Sequence, residues 1–151
     1  MIENLKVREM RKDDTESLAQ LDQICFAVPW SEQAFSDEAE NELATYLVAC
    51  DGDKVIGYIG YWKVIDEGHI TNIAVLPEYR RKGIASKLLA GIIRAAKENG
   101  LCLLTLEVRK SNMPARCLYE GFGFEALGER KDYYKKPTEN AVIMTLMLGE
   151  N

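Results

Sequence analysis

The chain has 151 residues, of which 47% are hydrophobic and 28% charged, enough to bury a core and to read as one globular domain spanning residues 1–151. Its net charge of −5 argues against a nucleic-acid binder, which needs a basic face. No run reaches the roughly 20 apolar residues that span a bilayer, and the first residues lack a basic then apolar leader, so the expectation is a cytoplasmic protein with no membrane partner.

The elements follow in order. Leu5 to Met10 reads as a strand. Asp13-Asp14-Thr15-Glu16 carries helix-start chemistry, with Leu18, Leu21 and Cys25 at helical spacing and Pro29 as the stop. Ser31 can cap a second helix holding Ala34, Phe35 and Glu38. Thr45 to Cys50 and Lys54 to Trp62 are strands joined at Asp51-Gly52, a hairpin signal. His69 to Leu76 is a β run. Arg81 to Asn99 carries Ile84, Leu88, Ile92 and Ala96 on one face of an amphipathic helix, ended by Gly100. Leu101 to Val108 is almost continuously apolar and predicts a strand buried on both faces. Asn112 to Glu120 is a short helix, and Phe124 to Lys131 and Ala141 to Leu148 are closing strands. An antiparallel front half running into β-α-β-α-β predicts an α/β (α+β) fold with a central, mixed, mostly antiparallel twisted sheet and helices on both faces.

Cys25, Cys50, Cys102 and Cys117 lack Cys-x-x-Cys spacing, and His69 is the single histidine, so no metal site is expected. The cysteines lie in apolar stretches and read as reduced core thiols, and His69 reads as structural or exposed.

The most informative stretch is Asn72-Ile73-Ala74-Val75-Leu76-Pro77-Glu78-Tyr79-Arg80-Arg81-Lys82-Gly83-Ile84-Ala85-Ser86. A strand runs into a basic, glycine-containing loop that opens a long helix. First-turn amides have no partner inside a helix and carry the positive end of its dipole, which suits an anion. Gly83 lacks the Cβ that would hold a phosphate off the backbone. Neither the P-loop nor the dinucleotide fingerprint is present.

Arg80-x-x-Gly83-x-Ala85 in this setting resembles the coenzyme A pyrophosphate loop of the GNAT superfamily. Phe26-Ala27-Val28-Pro29-Trp30-Ser31-Glu32, Leu106 to Asn112, Leu118 to Phe124, and Arg130 to Tyr134 with Glu139-Asn140-Ala141 resemble, in order, segments of the RimI-type protein N-terminal acetyltransferases. The resemblance implies a GNAT fold and acetyl-CoA as cosubstrate. The backbone of Ile73, Ala74 and Val75 would pair with the pantetheine arm. The amides of Arg81, Lys82, Gly83, Ile84, Ala85 and Ser86 would hold the pyrophosphate, and Asn112 would also touch the cofactor. Glu107 would be the general base and Tyr119 the general acid, with an oxyanion donor at Val75 or its neighbour. Tyr134 would line the peptide channel, and Trp30 would be either a wall of that channel or a hydrophobic plug. The substrate implied is a protein N-terminus, the N-terminal alanine of small-subunit ribosomal protein eighteen.

Pattern alone leaves other readings open. Glu107 could point to solvent by strand alternation, Tyr119 could be core, and Asn112 could be only a cap. A GNAT enzyme for lysine side chains, polyamines or another small amine is one alternative function, and a non-catalytic acyl-CoA-binding module is another. Asn140 departs from the pattern, standing where RimI-type chains more often carry Asp.

Overall fold

A computed structural model describes residues 4–149. Its elements are β1 (Leu5–Glu9), α1 (Thr15–Cys25), α2 (Glu32–Glu40), β2 (Ala44–Asp51), β3 (Lys54–Val64), β4 (Glu67–Val75), α3 (Ile84–Glu98), β5 (Leu103–Arg109), α4 (Met113–Gly121), β6 (Glu125–Lys135) and β7 (Thr138–Met147), with short 3-10 turns at Lys12–Asp14 and Pro77–Tyr79. The element order matches the sequence reading. The strands form a seven-stranded sheet in the order β1-β2-β3-β4-β5-β7-β6. The β1/β2, β2/β3, β5/β7 and β6/β7 pairs are antiparallel, and β4/β5 is parallel.

Two compact units divide the chain, one running through Trp62 and resuming at Ile70–Ala95, the other made of Lys63–His69 and the chain from Ala96 onward. In the first unit, α1 buries Leu18 and Leu21, and α3 buries Ile84, Leu88, Leu89 and Ile92. That is the stripe which helical periodicity predicts for one face. Burying each such side chain is worth about 1.5–3 kcal/mol. Trp30, Phe35, Tyr46 and Tyr58 form an aromatic cluster with ring centroids 5.4–6.4 Å apart. β3 threads past it on Gly60, where a Cβ would collide with the Tyr46 ring directly opposite. Asp22 is fully buried beneath this cluster, accepting hydrogen bonds from the Trp30 amide at 2.8 Å and the Tyr58 hydroxyl at 2.6 Å. Burial holds its carboxyl above the usual range despite those two bonds.

In the second unit, β5 pairs along its whole length with β7, from Leu103↔Met147 to Arg109↔Ala141, and β6 covers the other side of β7. The parallel ladder from β4 spans Glu67↔Leu103 to His69↔Thr105. A left-handed Gly100 ends α3 by turning back two amides, Gly100 to Lys97 and Leu101 to Ala96, which satisfies the last carbonyls of the helix.

Three sequence expectations are corrected. α3 begins at Ile84 rather than Arg81, because Arg81 and Gly83 both take left-handed φ, at 61° and 79°. β5 is not buried on both faces: Leu104, Leu106 and Val108 are buried, while Leu103, Thr105, Glu107 and Arg109 are only partly covered, and Glu107 and Arg109 carry the polar contacts described below. The cysteines are free, but only Cys50 is buried, and Cys117 is exposed on α4.

Candidate functional site

In the first unit the site residues follow β4. Ala74 and Val75 are buried and Ile73 half-buried. The Val75 carbonyl accepts from the Arg80 Nε at 3.0 Å, and the same guanidinium reaches the Cys25 Sγ at 3.8 Å. Arg80 therefore pins the turn to the end of its strand. The Leu76 amide donates to the Ile56 carbonyl at 2.9 Å, at the residue which the β2/β3 register skips. Leu76 is thus spent and is no oxyanion donor.

Arg81, Lys82 and Gly83 are exposed, and nothing lies within 4 Å of a Cβ placed on Gly83. The Gly83 carbonyl accepts from the Lys87 amide at 3.1 Å, making it the first carbonyl of the helix. The amides of Ile84, Ala85 and Ser86 then have no carbonyl four residues back within α3. They follow an open turn with two cationic side chains, Arg81 and Lys82, both exposed. This arrangement fits a pyrophosphate.

The second unit holds the titratable side chains. Side chains of cross-strand partners point to one face of a sheet, so His69, Thr105, Glu107, Arg109 and Arg130 share a face of β4, β5 and β6. Glu107 is 9% exposed at its side chain. Its Oε1 meets the His69 Nε2 at 2.8 Å, and its Oε2 faces the Arg130 Nε at 3.6 Å. An ionised Glu107 only accepts, and the donor of that bond is then the His69 tautomer with its proton on Nε2. Sequence reasoning missed this partnership and gave His69 no role. The one signal for it was the lone histidine at the head of a β run.

Tyr119 lies on α4, 5% exposed, with its ring 5.7 Å from that of Phe124. Among the described residues its hydroxyl has no hydrogen-bond partner. Burial, and then the Tyr134 phenol, hold its proton far more tightly than an ordinary tyrosine does. Tyr134 is pushed up to about 12, first by burial, then by Tyr133 and Glu107. The Tyr134 phenol thus lies within electrostatic reach of both Glu107 and Tyr119.

A bulge sets the Tyr133-Tyr134 pair. Between Arg130↔Ala141 and Tyr134↔Glu139, residues 131–133 of β6 stand opposite Asn140 alone. The Asn140 Oδ1 accepts from the Asp132 amide at 3.0 Å, where Asp132 is left-handed at φ 52°, and the Asn140 Nδ2 donates to Glu129 at 3.2 Å. An aspartate here would lose that donor and set a second negative charge beside Glu129. Arg109 closes the hairpin: it donates to the carbonyls of Lys136 and Pro137, pairs with Glu139 at 3.2 Å and lies 4.4 Å from the centroid of the Tyr134 ring.

Asn112 caps α4, accepting from the Ala115 amide at 3.3 Å, and is exposed. Trp30 packs on Phe35 and Tyr46 and is half-buried. Its inner face is therefore a plug in the aromatic cluster.

Residues 15–124 match the family described as Acetyltransferase (GNAT) family. A [ribosomal protein bS18]-alanine N-acetyltransferase of Haemophilus influenzae is 38% identical over 147 residues, covering 94% of this chain and 98% of the relative. The crystal structure of the ribosomal-protein-S18-alanine N-acetyltransferase from Escherichia coli superposes with a TM-score of 0.89 at 31% identity, covering 97% of this chain and 96% of that one. PaiA N-acetyltransferase from Thermoplasma acidophilum, solved in complex with coenzyme A, shares the fold at a TM-score of 0.79 and 18% identity, covering 95% of this chain and 98% of that one.

Proposed function

The chain belongs to the GNAT acetyltransferase family, and from that premise we propose that it acetylates the N-terminal α-amine of a protein, the substrate being the N-terminal alanine of ribosomal protein bS18. It is an acetyl-CoA-dependent N-acetyltransferase, with the family match running over residues 15–124. The observation that carries the reading is the nearly buried Glu107 carboxylate, with one oxygen engaged by His69 and the other faced at longer range by Arg130.

Acetyl-CoA supplies an acyl group activated as a thioester. Arg81, Lys82 and Gly83 and the free amides of Ile84, Ala85 and Ser86 hold its pyrophosphate. The backbone of Ile73, Ala74 and Val75 holds the pantetheine arm, with Asn112 a further contact. With the Leu76 amide committed to Ile56, the oxyanion donor is the amide of Val75 or of its other neighbour, Ala74. Glu107 accepts the proton of the amine. An α-amine has a pKa near 7.7–8 against about 10.4 for lysine, so a carboxylate base works against about 3.4 kcal/mol less with an N-terminus. Tyr119 donates to the departing sulfur. Tyr134 and the exposed part of Trp30 contact the peptide.

The test offers three acceptors with acetyl-CoA: a lysine-free peptide beginning with alanine, the same peptide with a blocked N-terminus and an internal lysine, and spermidine. Acetylation of the first alone is expected. Faster turnover of either other amine overturns the N-terminal reading, and coenzyme A binding without transfer to any amine overturns the enzymatic one.

A further inference from the structure

Resting on the assignment of Glu107 as the base, we propose that His69 is its positioning residue: the Nε2–H holds Oε1 so that Oε2 is the oxygen that meets the amine. The bond is 2.8 Å long, well within hydrogen-bond range. The backbone sets it up. The β4/β5 ladder is three residues long and ends at His69↔Thr105, placing the imidazole on the same face as Glu107, two residues further along β5. Glutamate has a broad terminal torsion, so an unanchored carboxylate samples many orientations. A donor on one oxygen removes that freedom, as the third member of a nucleophile-base constellation orients its base.

The two oxygens are not equivalent. The groups facing the carboxylate are the His69 imidazole on β4 and, on β6, the Arg130 guanidinium and the Tyr133 and Tyr134 phenols. Arg130 sits 3.6 Å from Oε2, too far for a hydrogen bond, and its side chain is 56% exposed. An incoming ammonium can displace it. The His69 contact is shorter, and the strand pairing supports it. The ammonium gives one proton to Oε2, and the electron pair so freed forms the C–N bond to the thioester carbon; as the C–S bond breaks, Tyr119 protonates the sulfur and the second proton lost from the nitrogen replaces the one Tyr119 gave. His69 retains its Nε2 proton throughout, and the Glu107 proton returns to water after product leaves.

The test measures kcat and both KM values with acetyl-CoA and a lysine-free, alanine-initiated peptide. His69→Ala is expected to lower kcat about tenfold or more with the acetyl-CoA KM unchanged, a factor of ten being about 1.4 kcal/mol of barrier. His69→Gln, which carries an amide N–H where the imidazole carries Nε2–H, is expected to recover most of the loss. In a Glu107→Gln background, His69→Ala is expected to add nothing, because the oriented group is gone. Should the alanine variant fail to fold, His69→Asn, whose amide falls one bond short, takes its place with the same expected loss. Wild-type kcat in the short variant, or an equal loss in both backgrounds, overturns the proposal while leaving an inactive Glu107→Gln to support Glu107 as base. Full turnover by Glu107→Gln removes the base itself and this proposal with it.

Discussion

A phenol as deeply buried as Tyr119 keeps its proton across the pH range of ordinary assays, so its value to the reaction lies in where the proton points. Tyr119→Phe removes that donor while keeping the ring against Phe124. It is expected to lower kcat about a hundredfold, the usual scale for a positioned acid, with the acetyl-CoA KM within about twofold; an unchanged kcat in a steady-state assay removes Tyr119 from the mechanism. Gly57 tests the strand expected to carry the pantetheine arm. A Cβ there would stand 2.8 Å from the Ala74 carbonyl oxygen, a backbone atom with little room to yield. Gly57→Ala is expected to cost about 1–3 kcal/mol in a urea titration, the range for overpacking a filled site. At this scale the sequence was partly legible. Glu107, Tyr119 and the Gly83 turn carried a family pattern. His69 did not, because its partner lies 38 residues away across a ladder three residues long. No local pattern records such a contact.

Hairpins show most plainly why some elements could be read and others not. Asp51-Gly52 announced its turn because Gly52 takes the left-handed φ, 60°, that glycine favours. The turn between β3 and β4 gave no such signal. The sequence left a gap from Trp62 to His69, yet the strands run on to Val64 and Glu67, with Ile65 at φ 60°. A β-branched residue in that region is strained by about 1–2 kcal/mol. Ile65 is 87% exposed, so replacing it forfeits little packing. Ile65→Gly relieves the strain and pays some unfolded-chain entropy, for an expected net gain of about 0.5–1 kcal/mol by urea unfolding. A loss of stability would mean that the turn is held for a contact the glycine lacks. β6 was misjudged for a related reason: the bulge opposite Asn140 interrupts alternation, which hid the continuation to Lys135. On β5, an apolar composition concealed a partly open polar face, since Leu103 and Thr105 look like core until their neighbours are known.

Over the whole molecule, two buried carboxyl groups give stability opposite slopes with pH. Asp14 is held below the usual carboxylate range by its paired hydrogen bonds from Arg8, at 2.8 and 2.9 Å, with help from the Arg11 amide. Its folded state binds fewer protons than the unfolded chain, so its contribution is complete above the ordinary carboxylate value and is lost as pH falls through the depressed one. Asp22 has the opposite sign. Burial raises it, so between the ordinary value and its own the folded chain binds more protons than the unfolded one, and stability falls as pH rises through that window. Glu129, which is exposed, and Glu139, which is half-buried, are both depressed by hydrogen bonds and follow Asp14 in direction, with solvent screening the first. Lowering the pH from neutrality also titrates a net charge of −5 toward zero, easing self-repulsion. The urea midpoint is therefore expected to climb gently on mild acidification and then drop steeply below the ordinary carboxylate range. Asp22→Asn is expected to flatten the climb and leave the drop in place, whereas Asp14→Asn is expected to lower stability at neutral pH and soften the drop. An Asp22→Asn profile parallel to that of the native chain at every pH would show that the buried carboxyl beneath Trp30 and Tyr58 does not titrate with folding.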